Sequence, residues 1–357
     1  MKSIAYIFIV VSMIVLISCQ ENHEETIASG TDFFSEGERA YNDERYEEAK
    51  RFFTDALTYN KNDADAYNYR GLSHSSLQEG GKAVRDFKKA LTLSPQDPVI
   101  YYNLAVAYKN LSRPKKALIQ LVKGIEIDNK DVDLFLLRAE ILYDLNKVEA
   151  SEKDYVTALQ LDSNNAGVRN SYGIFLEFYK YDTVNAINQY TKAIELTLDD
   201  LDKAVYLGNR GSLYLGSNQL RKAATDLNGA FAIDEASNFT CYHLGVLHYE
   251  KEEYDQAIDF YTKAIELDSL DADAYNERGI CYYYKEEYAK ALEGYKVAAV
   301  IKPTDGAYHF NLGDVYYALD STERACLEFK NALQYGFVFE IEEYKDLSCL
   351  ASLEAPN

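Results

Sequence analysis

Three regimes of hydrophobic and polar positions follow one another along the chain. After Lys2, an uncharged apolar run extends from Ile4 to Ile17, 14 residues, too short to cross a bilayer as a helix but suited to the core of a signal peptide. Polar chain follows at once as QENHEETIASGTD, and from Gly30 onward the pattern becomes periodic. YTKAIEL stands at Tyr190–Leu196 and again at Tyr261–Leu267, 71 positions apart. Asp63-Ala64-Asp65-Ala66-Tyr67-Asn68 returns as Asp271-Ala272-Asp273-Ala274-Tyr275-Asn276. Glu253-Tyr254-Asp255-Gln256-Ala257 is answered 34 residues later by Glu287-Tyr288-Ala289-Lys290-Ala291, so 71 is two periods plus three residues. With only 5 prolines, long stretches are free to be helical. The tail, EIEEYKDLSCLASL, patterns as one more amphipathic helix.

The period divides the chain into nine units: 30–63, 64–97, 98–131, 132–165, 166–203, 204–237, 238–271, 272–305 and 306–339. Position 8 of the units is Gly37, Gly71, Ala105, Ala139, Gly173, Gly211, Gly245, Gly279 and Gly313. Position 20 is alanine except for Ser151, and position 27 is alanine except for Gly124. Bulky rings such as Phe53, Phe87, Tyr190, Tyr261, Tyr295 and Phe329 recur at position 24. This pattern resembles the tetratricopeptide repeat (TPR), a 34-residue helix–turn–helix unit. The resemblance implies an all-α, right-handed α-solenoid, a superhelix of about nine units. Small residues at positions 8 and 20 would seat helix A on helix B, and those at 27 would seat helix B on the next unit. A lone unit cannot bury its apolar faces, so stability must come from stacking on neighbours.

Departures from the pattern carry information too. The fifth unit, 166–203, has 38 residues, with one extra between its helices and three after them, and Arg169 where an aromatic is usual. It is expected to be the weakest and a candidate hinge. Residues 340–357 are expected to form a helix that caps the last unit.

Charge narrows the list of partners. With 37 basic and 58 acidic side chains the net charge is −21, which repels nucleic-acid phosphates and anionic lipid alike. Leu16-Ile17-Ser18-Cys19 resembles a bacterial lipobox, implying cleavage of a signal peptide over 1–18, a lipid on Cys19 and an acidic tether over 19–29. An ordinary signal peptide with an incidental cysteine is the alternative. Removing residues 1–18 deletes only Lys2 among charged groups and leaves −22, so the acidic balance survives processing. The other cysteines, Cys241, Cys281, Cys326 and Cys349, form no CxxC pair and are expected as free buried thiols.

Catalytic patterns are missing: the sequence holds no HExxH, GxSxG, GxxxxGK[ST] or strand-leading GxGxxG. The histidines are spread out, with His74 and His248 at a packing position, so neither metal nor cofactor is expected. Arginines recur at position 7, and where they are Arg70, Arg138 and Arg210, position 23 of the same unit is Asp86, Asp154 and Asp226. Ion pairs within units are the expected reading, against an arginine row that clamps an anion.

In the family, ligands lie in a concave groove lined by helix A positions 2, 5, 9, 12 and 13. Here those positions supply Tyr102, Tyr143, Tyr242, Tyr249, Tyr283, Tyr284, Phe310 and Tyr317, with the acids Glu250, Asp273 and Asp314 and one base, Lys109. The bases with which chaperone-binding members hold a carboxylate are absent. The expected function is a non-enzymatic protein-interaction scaffold of the bacterial cell envelope, lipid-anchored at Cys19 and directed to the outer membrane. It would take protein or peptide segments carrying basic and apolar side chains. Glycan or small-molecule binding by the tyrosine-lined groove is the alternative, self-association through the array ends is another, and the tyrosines could equally serve packing alone.

Overall fold

Helix starts are written into the sequence every 34 residues, with one interval of 38 between Asp199 and Ser237. Asp63, Asp97, Asp131, Asn165, Asp199, Ser237, Asp271 and Asp305 each stand before a helix, and the side chain of each accepts a backbone N–H of its first turn. The turn inside each unit uses a different device. Glu44, Gln78, Ser112, Asn146, Asn218, Glu252, Glu286 and Asp320 adopt positive φ near 55–61°, with Tyr181 at 52° in the longer fifth unit. This left-handed residue lets the next N–H close back on the ending helix, as Arg45 N does on Ala40 O at 2.8 Å, so no glycine is needed.

The computed structural model describes residues 30–340 together with Tyr344, Leu347 and Cys349. Cys19, the signal peptide over 1–18 and the tether over 19–29 lie outside the described residues, as does most of 340–357. The described residues form eighteen helices and no strand: α1 Gly30–Asn42, α2 Tyr46–Tyr59, α3 Ala64–Ser76, α4 Gly80–Leu93, α5 Pro98–Asn110, α6 Pro114–Ile127, α7 Val132–Asp144, α8 Val148–Leu161, α9 Ala166–Phe178, α10 Thr183–Leu196, α11 Asp200–Gly216, α12 Leu220–Ile233, α13 Asn238–Tyr249, α14 Tyr254–Leu267, α15 Ala272–Tyr284, α16 Tyr288–Ile301, α17 Gly306–Ala318 and α18 Thr322–Gln334. They form two compact units, one up to residue 163 holding α1–α8 and one from residue 164 holding α9–α18. Within each, adjacent helices pair antiparallel and pack on the next pair, as an α-solenoid does.

What holds a pair together is a ring set over a missing side chain. A Cβ added to Gly245 would fall 2.6 Å from the Tyr261 ring, and one on Gly71 would fall 2.7 Å from Phe87. The same holds at 2.6 Å for Gly37 on Phe53, Gly173 on Tyr190, Gly279 on Tyr295 and Gly313 on Phe329. The position-24 ring therefore lies directly on helix A, and position 8 must be small to admit it. In the fourth pair, Ala139 is at position 8, and Ser151 Oγ donates to its carbonyl at 2.8 Å across the contact. Ala49, Ala83, Ala117, Ala186, Ala223, Ala257, Ala291 and Ala325, at position 20, are all fully buried.

One insertion and one pair of cysteines depart from the repeat. The three residues inserted at the end of the fifth unit do not form loop: they lengthen the next helix, so α11 begins at Asp200 and runs 17 residues, capped by Asp199. Nor are all the thiols free. Cys241 and Cys281 are free and buried, but Cys326 is bonded to Cys349, with Cα atoms 6.0 Å apart. Cys326 lies on α18, and the chain after Gly336 returns over the last pair. Tyr344 and Leu347 pack there beside Phe329 and bring Cys349 within reach.

Candidate interaction face

The aromatic residues expected to line a groove stand on helices α5, α7, α13, α15 and α17. In the first compact unit, Tyr102 on α5 and Tyr143 on α7 are half-buried. Burial, followed by the charges of Asp133, Glu140 and Asp131, raises the Tyr102 phenol. The lone base, Lys109, is already paired with Glu140 on the next A helix at 2.9 Å.

In the second unit the rings touch. Tyr242 meets Tyr261 edge-on at 5.7 Å. Tyr249 lies 6.0 Å from both Tyr254 and Tyr284, and Tyr254 stacks on Tyr284 at 5.5 Å with planes 3° apart. Tyr283 meets Tyr288 at 5.3 Å. Four helices, α13 to α16, thus contribute to one tyrosine surface on which Tyr284 remains 56% exposed. Burial raises the phenols of Tyr249 and Tyr283, reinforced by Tyr284 at the first and by Asp314 at the second. They stay neutral and able to donate.

The acids divide by partner. Glu250 is exposed at the end of α13. Asp273 accepts from Lys302 Nζ at 2.7 Å and from the Tyr308 hydroxyl. Burial works to raise its carboxyl, but these two hydrogen bonds outweigh it and hold the group below the usual range. Asp314 accepts from Tyr344 Oη at 2.9 Å. Phe310 lies 5.0 Å from both Phe337 and Phe339, and Tyr317 lies 5.2 Å from Tyr344. Among the described residues, the chain's own C-terminal segment therefore packs on Phe310, Asp314 and Tyr317, and Tyr283 and Tyr288 border the same cluster.

Sequence reasoning passed over one residue on this surface. Glu277, at position 6 of the eighth unit, is half-buried on α15. No basic side chain among the described residues forms an ion pair with it, and its one hydrogen bond comes from Asn276 Nδ2 at 3.2 Å. Burial raises its carboxyl; the Asn276 bond opposes this and Asp273 adds to it. The charge of Glu277 acts in turn on Tyr242, Tyr249, Tyr261, Cys281 and Tyr295. A signal was available: other units carry Asn103, Asn209 or Asn311 there, or a serine, tyrosine, leucine or histidine, and only this one carries an acid. Asparagines at this position bridge A helices, Asn103 to Asn68 at 3.0 Å, Asn209 to Asn170 at 2.9 Å and Asn311 to Asn276 at 2.7 Å.

An acid whose carboxyl is raised on folding costs stability while it is charged. The folded state takes up the proton at a higher pH than the unfolded chain, so stability grows as pH falls through that raised value. Glu277→Gln is therefore expected to stabilise the second compact unit at pH 7. The gain should shrink to nothing below the ordinary glutamate range. Urea unfolding at pH 7 and pH 4 measures both, and a destabilised variant at pH 7 would refute the assignment.

The arginine–aspartate positions form bidentate pairs inside single units: Arg70 to Asp86 at 2.7 and 2.8 Å, Arg138 to Asp154 at 2.6 and 2.8 Å, and Arg210 to Asp226 at 2.7 and 2.9 Å. Arg278, without an aspartate, donates to Thr262 on the preceding B helix at 3.1 Å. His74 and His248 meet Glu79 and Glu253, at 2.5 and 2.6 Å. Among the described residues no cluster of three or more His, Cys, Asp or Glu could hold a metal ion, and no helix is long and apolar enough to cross a membrane.

Antiparallel helix pairs repeating every 34 residues, with a small residue under each ring, define a tetratricopeptide-repeat solenoid, a class of protein-interaction scaffold. The chain carries such repeats: models of the tetratricopeptide repeat match residues 98–131 and 239–269, and a TPR repeat model matches 76–112. No curated protein matches the sequence. Solved structures share the fold. The Cut9–Hcn1 assembly of the APC/C is similar at TM-score 0.61 and 14% identity, over 89% of this chain and 75% of that one. PilW, a type IV pilus biogenesis factor, gives 0.55 and 19% over 61% and 97%, and Pseudomonas aeruginosa PilF gives 0.53 and 21% over 58% and 92%.

Proposed function

We propose that this chain is a non-enzymatic scaffold of the bacterial cell envelope, anchored by lipid at Cys19 and directed to the outer membrane, that holds extended segments of protein partners on its A-helix face. The observation that carries the reading is the tyrosine surface of Tyr249, Tyr254, Tyr283 and Tyr284 together with Glu277. Rings offer large contact area at small entropy cost, and uncompensated carboxylate favours basic partners. The Cys326–Cys349 bridge fits a protein exported to an oxidising compartment. A biogenesis factor such as PilW uses the same fold, which is compatible with an assembly role here.

The test combines two variants in the native cell. Tyr249→Ala with Tyr283→Ala should lower crosslinked partner recovery about tenfold, since each removed ring contact contributes on the order of 1 kcal/mol, while circular dichroism stays unchanged. Cys19→Ala should move the protein from the membrane to the soluble fraction. Full recovery by the tyrosine variant removes the binding surface, and membrane retention of the cysteine variant removes the anchor.

A further inference from the structure

The floor of the tyrosine surface has polar groups that the chain itself leaves short of partners. The array contains its own comparison. In the fifth unit the position-24 ring, Tyr190, donates its hydroxyl to Glu177 Oε2 at 2.7 Å, a carboxylate supplied from position 12 of the same unit. In the seventh unit position 12 is Tyr249 instead. The equivalent Tyr261 is completely buried, and its hydroxyl has no hydrogen-bond partner. Leaving such a group unmatched is costly, by about 1–3 kcal/mol. Beside it is Glu277, half-buried and without a cation, its charge felt by Tyr261 and by Tyr242 and Tyr249 around it. Three successive helices, α13, α14 and α15, thus bring together an orphaned hydroxyl, a carboxylate without an ion-pair partner and three aromatic rings.

We propose that Glu277, with the rings of Tyr242 and Tyr249, forms a subsite for one arginine or lysine side chain of a bound extended peptide. This rests on the reading that the A-helix face holds a chain, and it specifies which side chain is read and where. A guanidinium or ammonium gives Glu277 its missing counter-charge. Its flat or compact cation is also attracted to tyrosine faces. The other acids of the surface are less suited: Asp273 is taken by Lys302 and Tyr308, Asp314 by Tyr344, and Glu250 is exposed at the end of α13, where water screens a charge pair. The net charge of −21 steers basic segments toward the whole molecule, but only Glu277 selects one position.

The experiment uses fluorescein-labelled peptide libraries with apolar flanks and a fixed central arginine, lysine, citrulline or glutamate, measured by anisotropy against the folded chain from residue 19. Arginine and lysine libraries should bind at least about tenfold more tightly than citrulline, which keeps the shape without the charge. Glu277→Gln should erase that preference. Glu266→Gln, which removes the same charge from the exposed face of α14, should leave it within about twofold. Equal loss in both variants, or citrulline binding as well as arginine, overturns the subsite. If peptides bind regardless of the central residue and Tyr249→Ala abolishes that binding, the subsite fails while the scaffold reading stands. If no library binds, both fail.

Discussion

Replacing Phe329 with alanine is expected to cost about 3–5 kcal/mol and to detach the C-terminal end of the array. Phe329 is fully buried, and its ring touches four neighbours at once. A Cβ on Gly313 would stand 2.6 Å from it, while Phe310, Phe339 and Tyr344 have ring centres at 5.8, 5.1 and 4.4 Å. Truncation therefore opens a cavity between α17 and α18 and removes the surface on which the returning segment rests. Position in the array decides how the damage spreads. Each repeat is stabilised by its own packing and by its neighbours, and an end repeat has a neighbour on one side only. Hydrogen exchange should accelerate across α17 and α18 and remain unchanged in α1–α8. The Cys326–Cys349 bridge will keep the segment tethered but not packed. Uniform acceleration along the chain, or none, would contradict the assignment.

The same ring shows how much of the fold was legible. Spacing alone placed small residues at position 8 and bulky ones at position 24, rings except for Leu121 and Leu227, because the chain repeats one packing problem nine times. The N-cap aspartates recur with the same period. What spacing could not supply is anything that occurs once. The lengthened α11 comes from a single insertion, and whether three extra residues loop out or extend a helix depends on Asp199 being free to cap. The disulfide joins a repeat position, Cys326, to a residue beyond the last repeat, so no period relates them.

The candidate site was legible only in part, for a related reason. Reading positions 2, 5, 9, 12 and 13 found the tyrosines, because those positions came with the resemblance. It could not tell which were available, since the C-terminal segment that takes Phe310, Asp314 and Tyr317 belongs to no repeat. It also passed over Glu277, whose position usually holds a neutral residue that bridges helices. The acid stands out against the chain's own other units, and its significance depends on Tyr261 losing the partner that Tyr190 keeps.

Arg138→Ala is expected to destabilise the first compact unit by about 3 kcal/mol, more than the deleted side chain's own contacts would suggest. Asp154 is 3% exposed, and both its oxygens are held by Arg138 at 2.6 and 2.8 Å. Removing the arginine strands that carboxylate in the seam between α7 and α8. The guanidinium, at 22% side-chain exposure, is itself reached by water, which sets the estimate at the low end for a broken buried pair. If the stranded charge is the cause, removing the charge as well should restore stability. The seventh unit already carries the apolar solution at the same two positions, Leu244 and Phe260, with Leu244 fully buried. Arg138→Leu combined with Asp154→Phe should therefore unfold within about 1 kcal/mol of the parent, far above the single variant. Urea unfolding of the double variant, with Arg138→Leu and Asp154→Phe alone, closes the cycle. A double variant no better than Arg138→Ala would mean that the arginine acts through packing on Phe135, over which its guanidinium lies at 5.4 Å, and not through the ion pair.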